Sequence, residues 1–273
     1  MNIIQGDYLQ YEYVLEHPED RPSRGSILLI HGSAPFNLDG RILIDSDSPY
    51  ARTAFYRDLS RGLHMAGWST LRYNKPGVHE DRVEGSEYAT SDFDVLRKQL
   101  ITLWAILPTE CPRIVFAWSE GSLHVRALPM REVDAVVLLG GIATNIGDVI
   151  RAQGGPSRDQ LQGELAGKDR HEMLGIDRPV GRMLDELAFA DNWRVFSEPQ
   201  SPPLLILYGD QDREVPFTQV KVWEDRLPNH RVKVVIGRGY DHRFMPQDKY
   251  DPMLVAKEIT SWLDGLFPVT NNR

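Results

Sequence analysis

A serine with small residues two positions to either side follows an apolar run in Ile114-Val115-Phe116-Ala117-Trp118-Ser119-Glu120-Gly121-Ser122. A strand that turns abruptly into a helix at a serine pushes the hydroxyl clear of its surroundings, and the crowded backbones demand small neighbours such as Ala117 and Gly121. A serine so placed can also serve as a plain helix N-cap. Because its hydroxyl is a weak nucleophile at neutral pH, the catalytic reading requires a base and a group that fixes the base's tautomer. Candidates for both follow later apolar runs. Residues 204–208 lead into Gly209-Asp210-Gln211-Asp212-Arg213-Glu214-Val215-Pro216, and residues 232–236 lead into Gly237-Arg238-Gly239-Tyr240-Asp241-His242. In the order Ser, Asp, His, Ser119 is the expected nucleophile, His242 the general base and Asp212 the orienting acid. Asp210, nearer the strand, suits bonding to the loop's own amides.

Attack by Ser119 creates an oxyanion, and losing one donor to such a group typically costs about 3 to 4 kcal/mol in barrier. Ile30-His31-Gly32-Ser33-Ala34-Pro35 offers a strand followed by a glycine turn that aims backbone N–H groups outward. The expected pair is the backbone N–H of Ser33 and that of Glu120, with Ala34 replacing Ser33 if the loop shifts by one residue. His31 is expected to brace the turn by hydrogen bonding instead of acting as a second base.

These residues need strands ending on a common rim. The runs 27–30, 69–73, 114–116, 135–139, 204–208 and 232–236 are nearly uniformly apolar, as parallel strands covered on both faces must be. Helical spacing over 51–65, 93–107, 217–227 and 252–267 alternates with them. The pattern predicts an α/β fold, a mostly parallel central sheet with helices on both faces. Residues 8–15 alternate and suit an edge strand. Between 144 and 203 no convincing strand occurs, and short helical patterns are cut by Gly154-Gly155-Pro156, Gly175 and Pro179. This stretch is expected to be a helical lid inserted into a core domain of residues 1–143 and 204–273. Its apolar residues either pack it onto the core or line an acyl pocket, for which Trp193 and Phe196 are the candidates. The tail 270–273 is expected to be disordered.

On these motifs the chain resembles the α/β-hydrolase superfamily, in particular its bacterial serine esterase and peptidase-like branch. The resemblance rests on His31-Gly32-Ser33, Arg72-Tyr73-Asn74-Lys75-Pro76-Gly77, the Ser119 turn and the loop from Gly209 to Pro216. Ala117 stands where the family usually has Gly, and Asn74 where it usually has Asp. The resemblance implies cleavage of a carboxylic ester through an acyl-enzyme, His242 taking the Ser119 proton and passing it to the leaving alcohol. A thioesterase, acyltransferase or amidase would use the same triad, and a hydrolase-fold receptor with little turnover is the alternative from another class.

The 273 residues carry a formal charge of -8, which repels nucleic acid and anionic membranes. The expected partner is a small-molecule acyl substrate, and self-association into a homo-oligomer stays open. Cys111 is the only cysteine, and no His-Glu-x-x-His helix is present, so neither a disulfide, a metal nor any other cofactor is expected. With no secretory signal at the start and no apolar run near the roughly 18 residues of a membrane span, a cytoplasmic location is expected.

Overall fold

Backbone groups inside a sheet covered on both faces must pair with one another, and the apolar runs do so here. A computed structural model of the chain describes residues 1–6, 10–44, 48, 50–175, 178–227, 231–246 and 249–268. Its strands are β1 Asn2–Gln5, β2 Gln10–Glu16, β3 Ser26–Ile30, β4 Ser69–Tyr73, β5 Arg113–Trp118, β6 Ala135–Leu139, β7 Met173–Leu174, β8 Arg178–Pro179, β9 Leu204–Gly209 and β10 Val232–Gly237. Eight of them form one sheet in the order β1-β2-β4-β3-β5-β6-β9-β10, and β7 and β8 form a separate short hairpin. The β1–β2 and β2–β4 pairs are antiparallel, and every other pair in the large sheet is parallel. Register pairs Ile30 with Ala117, Trp118 with Leu139, and Tyr208 with Ile236, so the carboxyl ends of β3, β5, β6, β9 and β10 share one rim.

The helices are α1 Phe55–Met65, α2 Gly85–Tyr88, α3 Phe93–Trp104, α4 Gly121–His124, α5 Ile146–Ala152, α6 Arg158–Leu165, α7 Val180–Ala188, α8 Thr218–Arg226 and α9 Pro252–Leu266. Successive side chains of a strand point to opposite faces, which divides the core into two layers. Ile27, Leu29, Phe116, Val137 and Leu205 pack with Leu59 of α1 and Ile259 of α9. On the other face Leu28, Val115, Val136 and Ile206 pack with Leu100 of α3 and Trp223 of α8.

The predicted α/β architecture is found, with differences of detail, among them the β7–β8 hairpin in the stretch expected to hold no strand. The strand expected at the edge is β2, but it lies one place inside, covered by β1. No apolar pattern marks β1, whose residues are mostly exposed and which pairs with β2 through its backbone. Residues 8 and 9 of the expected strand, and the tail 270–273, lie outside the described residues. The helix expected from residue 51 begins at Phe55, where the Asp39 carbonyl accepts the N–H of Tyr56 at 3.0 Å and so fastens the first turn to a loop.

Residues 144–203 run from β6 to β9 and carry α5, α6, the β7–β8 hairpin, α7 and a 3₁₀ turn over Asn192–Phe196. Two asparagines stitch this stretch together and to α4 and the loop after β6. Asn145 donates from Nδ2 to the carbonyls of Glu186 at 3.0 Å and Phe189 at 2.7 Å. Asn192 donates to the carbonyls of Ser122 at 3.0 Å and Ile142 at 2.8 Å. Among the described residues no helix is long and apolar enough to cross a membrane.

The layering predicts unequal losses from two phenylalanines. Phe116→Ala, at a fully buried position, should lower stability by about 3 to 5 kcal/mol. Phe217→Ala, at a position 39% exposed, should cost no more than about 0.5 kcal/mol. Urea denaturation of the two variants checks the difference, and equal losses would contradict the layering.

Candidate active site

At the carboxyl end of β5 the chain turns at Ser119, whose φ of +56° lies in the left-handed region that non-glycine residues seldom occupy. Its N–H donates to the Leu139 carbonyl at 2.9 Å, extending the β5–β6 ladder by one rung. Its carbonyl accepts the Ser122 N–H at 3.0 Å and the Ser122 hydroxyl at 2.7 Å. Close approach explains two glycines here. A Cβ on Gly121 would lie 2.4 Å from the His31 carbonyl oxygen, and one on Gly32 would lie 3.2 Å from the Ser119 Cβ.

The β9 and β10 loops meet at the same rim. Asp212 Oδ1 accepts the N–H groups of Glu214 at 2.8 Å and Val215 at 2.9 Å. Its Oδ2 lies 2.7 Å from Nδ1 of His242, a contact that favours a proton on Nδ1. Asp210 instead accepts the Gly239 N–H at 2.7 Å, joining the two loops to each other. Gly140, with a φ of +54°, makes room for the imidazole: a Cβ there would lie 2.7 Å from His242 Cε1.

Ser119 and His242 border one cavity of about 210 Å³. Gly32, Ser33 and Ala34 form one wall, and Phe36, Tyr50 and Trp118 supply aromatic surface. Larger surface depressions of about 690 and 440 Å³ lie elsewhere and contain none of these residues. Nε2 of His242 has no hydrogen-bond partner among the described residues, so Ser119 and His242 face one cavity without a bond between them. Without a ligand such contacts are commonly long. Glu214 Oε2 stands 3.6 Å from Nε2, and the Tyr50 hydroxyl donates to Glu214 Oε1. Burial opposes the charged imidazolium, but Glu214 and then Asp212 outweigh it and raise the His242 pKa to about 9. His31 is fully buried, donates from Nε2 to the Tyr73 carbonyl at 2.7 Å, and stacks on Tyr56 at 4.7 Å. Burial, aided by Lys75, pushes its pKa down to about 3, so it stays neutral and braces the turn.

The Glu120 side chain leaves the cavity and enters a buried ionic cluster. Its Oε2 pairs with Arg178 Nη2 at 2.6 Å, while Glu186 accepts from His124 at 2.9 Å and Arg178 at 3.0 Å. Burial alone would raise the Glu120 pKa, yet Arg178, Arg182 and Lys75 bring it down to about 2. Glu120, His124 and Glu186 present donor atoms close enough to hold a metal ion, and Arg178 forms an ion pair with each of the two carboxylates.

No protein-family model matches the chain, and no curated protein matches it by sequence. Solved structures do match. Est1E from Butyrivibrio proteoclasticus, with ferulic acid bound, is 15% identical with a TM-score of 0.66, over 96% of this chain and 98% of that one. Alpha/beta hydrolase domain-containing protein 10 from mouse is 19% identical with a TM-score of 0.67, over 97% of this chain and 98% of that one. A thermophilic esterase from Thermogutta terrifontis is 16% identical with a TM-score of 0.62, over 97% of this chain and 98% of that one. The chain has the α/β-hydrolase fold.

Two residues expected at the pocket of this α/β-hydrolase fold lie elsewhere. Phe196 is buried edge-on against Trp223 of α8, with ring centroids 5.8 Å apart. Trp193 lies under the guanidinium groups of Arg194 and Arg226 at 4.6 and 5.5 Å. Neither borders the cavity, because the apolar side of this stretch is spent on packing against α8. Glu214, the third carboxylate in the Asp212 loop and the alternative to Asp212 as triad acid, borders the cavity. Tyr50, absent from the sequence reading of the site, lies in an aperiodic loop and carries no signal there.

The charge balance around His242 can be read directly. By NMR, the His242 imidazole should titrate near pH 9 in place of 6.5, and Glu214→Gln should move that titration toward lower pH. Since the folded-state value is raised, the associated stability is fully present below about pH 6.5 and is lost as pH rises through about 9. A titration unmoved by Glu214→Gln would contradict this assignment.

Proposed function

We propose that the protein is a serine hydrolase that cleaves esters of short carboxylic acids through an acyl-enzyme. The observation carrying this reading is the left-handed Ser119 on the wall of the cavity into which the Asp212-bonded His242 also opens. Ser119 Oγ attacks the acyl carbon while Nε2 of His242 takes its proton, and the Asp212 carboxylate stabilises the resulting imidazolium. The oxyanion forms against backbone N–H groups of the Ser33–Ala34 stretch and of Glu120. Collapse breaks the ester C–O bond, and His242 delivers its proton to the leaving alcohol. Water then repeats the sequence on the acyl-enzyme, which releases the acid and restores Ser119.

The esterases among the structural neighbours support an ester as the scissile bond. A cavity of about 210 Å³ walled by aromatic rings suits a short acyl group. Glu214 at its edge disfavours acyl chains that end in a second carboxylate. Residues 144–203 are read as a cap on the core domain formed by 1–143 and 204–273.

A fluorophosphonate probe should label Ser119, and Ser119→Ala should lose both the label and hydrolysis of p-nitrophenyl acetate. The acetate and butyrate esters should exceed the decanoate in kcat/KM by about tenfold or more. The rate should rise with pH as the His242 imidazole loses its proton. Labelling retained in Ser119→Ala would contradict the assignment.

A further inference from the structure

The backbone of the candidate oxyanion loop is gripped from behind by three buried side chains. The Ser33 carbonyl accepts from Lys75 Nζ at 2.9 Å, the Tyr88 hydroxyl at 3.0 Å and Arg182 Nη2 at 3.1 Å. Lys75 Nζ also donates to the carbonyl of Gly32. Lys75 is 2% exposed, and Tyr88 and Arg182 are at least as buried, so all three lie behind the loop and none borders the cavity. In a planar trans peptide the carbonyl and the N–H point in opposite directions. Carbonyls of Gly32 and Ser33 held toward Lys75 therefore turn the N–H groups of Ser33 and Ala34 the other way, toward the cavity that both residues line.

We propose that Lys75, with Tyr88 and Arg182, is a positioning residue that fixes the Ser33 and Ala34 N–H groups as oxyanion donors; this rests on the hydrolase reading above. Lys75 acts here through its N–H donors and not as half of an ion pair, because among the described residues no carboxylate forms an ion pair with it. Burial, and then Arg182, push its pKa well below the ordinary lysine value, and the two carbonyl contacts use N–H donors that the group has with or without its charge. The same cluster reaches the other half of the hole. Arg182 Nε lies 3.7 Å from Glu120 Oε1, and Arg178 Nη2 lies 2.6 Å from Glu120 Oε2, so the turn that supplies the Glu120 N–H is fastened as well. Arg178 and Arg182 belong to the 144–203 stretch, which thereby frames the chemistry although it holds no triad candidate. Donors fixed before the reaction need no reorganisation as charge develops, which is the condition under which they accelerate it.

The test uses the full chain with Lys75→Met and Tyr88→Phe, each checked for fold by circular dichroism and melting temperature. Steady-state kinetics on p-nitrophenyl acetate are combined with inhibition by phenylboronic acid, which forms a tetrahedral adduct on an active-site serine and places an oxygen where the oxyanion develops. Lys75→Met should lower kcat by about 10²-fold and weaken phenylboronic acid by a similar factor, while KM stays within about threefold. Tyr88→Phe should lower both quantities in parallel by a smaller factor, and it decides the matter should Lys75→Met fail to fold. A folded variant that keeps wild-type kcat and boronate affinity overturns the clamp. So does a fall in kcat with unchanged boronate affinity, which marks a general structural effect. Wild-type protein that neither labels at Ser119 nor turns over ester overturns the hydrolase reading itself, whereas an active wild type with unaffected variants overturns only the clamp.

Discussion

A serine held at a φ of +56° is the constraint around which the rim of the sheet is arranged. A non-glycine residue in that region costs on the order of 1 to 3 kcal/mol and persists only where its surroundings over-determine it. Here the bonds to Leu139 and Ser122 fix the turn on both sides. The turn also dictates where side chains must be absent. Gly32 after β3 and Gly121 at the start of α4 stand where a Cβ would press on Ser119 or on the His31 carbonyl, and Gly140 after β6 leaves space for the imidazole. Three elements thus give up a side chain so that one hydroxyl and one imidazole can open into the same cavity.

Charge is distributed unequally about that serine. In front, Asp212 and the about half-exposed Glu214 flank His242 and raise its pKa to about 9. Behind, Glu120, Glu186 and Arg182 are nearly or wholly sealed from water, together with Lys75, and Arg178 reaches them from a partly exposed position. Breaking a buried pair leaves an uncompensated charge, so the rear cluster resists rearrangement. The front can change its proton count while the rear holds the backbone still, a division suited to acid–base chemistry on a fixed frame.

How much of this could be read from the sequence depends on whether a residue's position follows from a strand. Ser119, Asp212 and His242 each come just after an apolar run, and parallel strands align their carboxyl ends, so their meeting at one rim is legible. Distance from the strand separates Asp210 from Asp212, yet the loop's own amides go to Asp212, whereas Asp210 takes the Gly239 amide of the β10 loop. Trp193 and Phe196 show the limit, because helical spacing tells which side of a segment is buried but not what covers it. β1 has no apolar signature, since an exposed edge strand is held by its backbone. The rear cluster combines residues from three distant segments, around Lys75, Glu120 and residues 178–186, which no sequence pattern connects. Arg178 of β8 and Arg182 of α7 supply the counter-charges to Glu120.

The central claim is that the Asp212–His242 pair activates Ser119, and kinetics on two neighbouring aspartates test it most directly. Asp212→Asn should leave the protein folded yet lower kcat for p-nitrophenyl acetate by up to about 10⁴-fold, since the imidazole loses both its tautomer and the support of its charged form. Asp210→Asn should keep kcat within a few-fold and lower the melting temperature, because its carboxylate only ties the β9 and β10 loops together. Near-normal turnover in folded Asp212→Asn, or the larger loss in Asp210→Asn, would contradict the account.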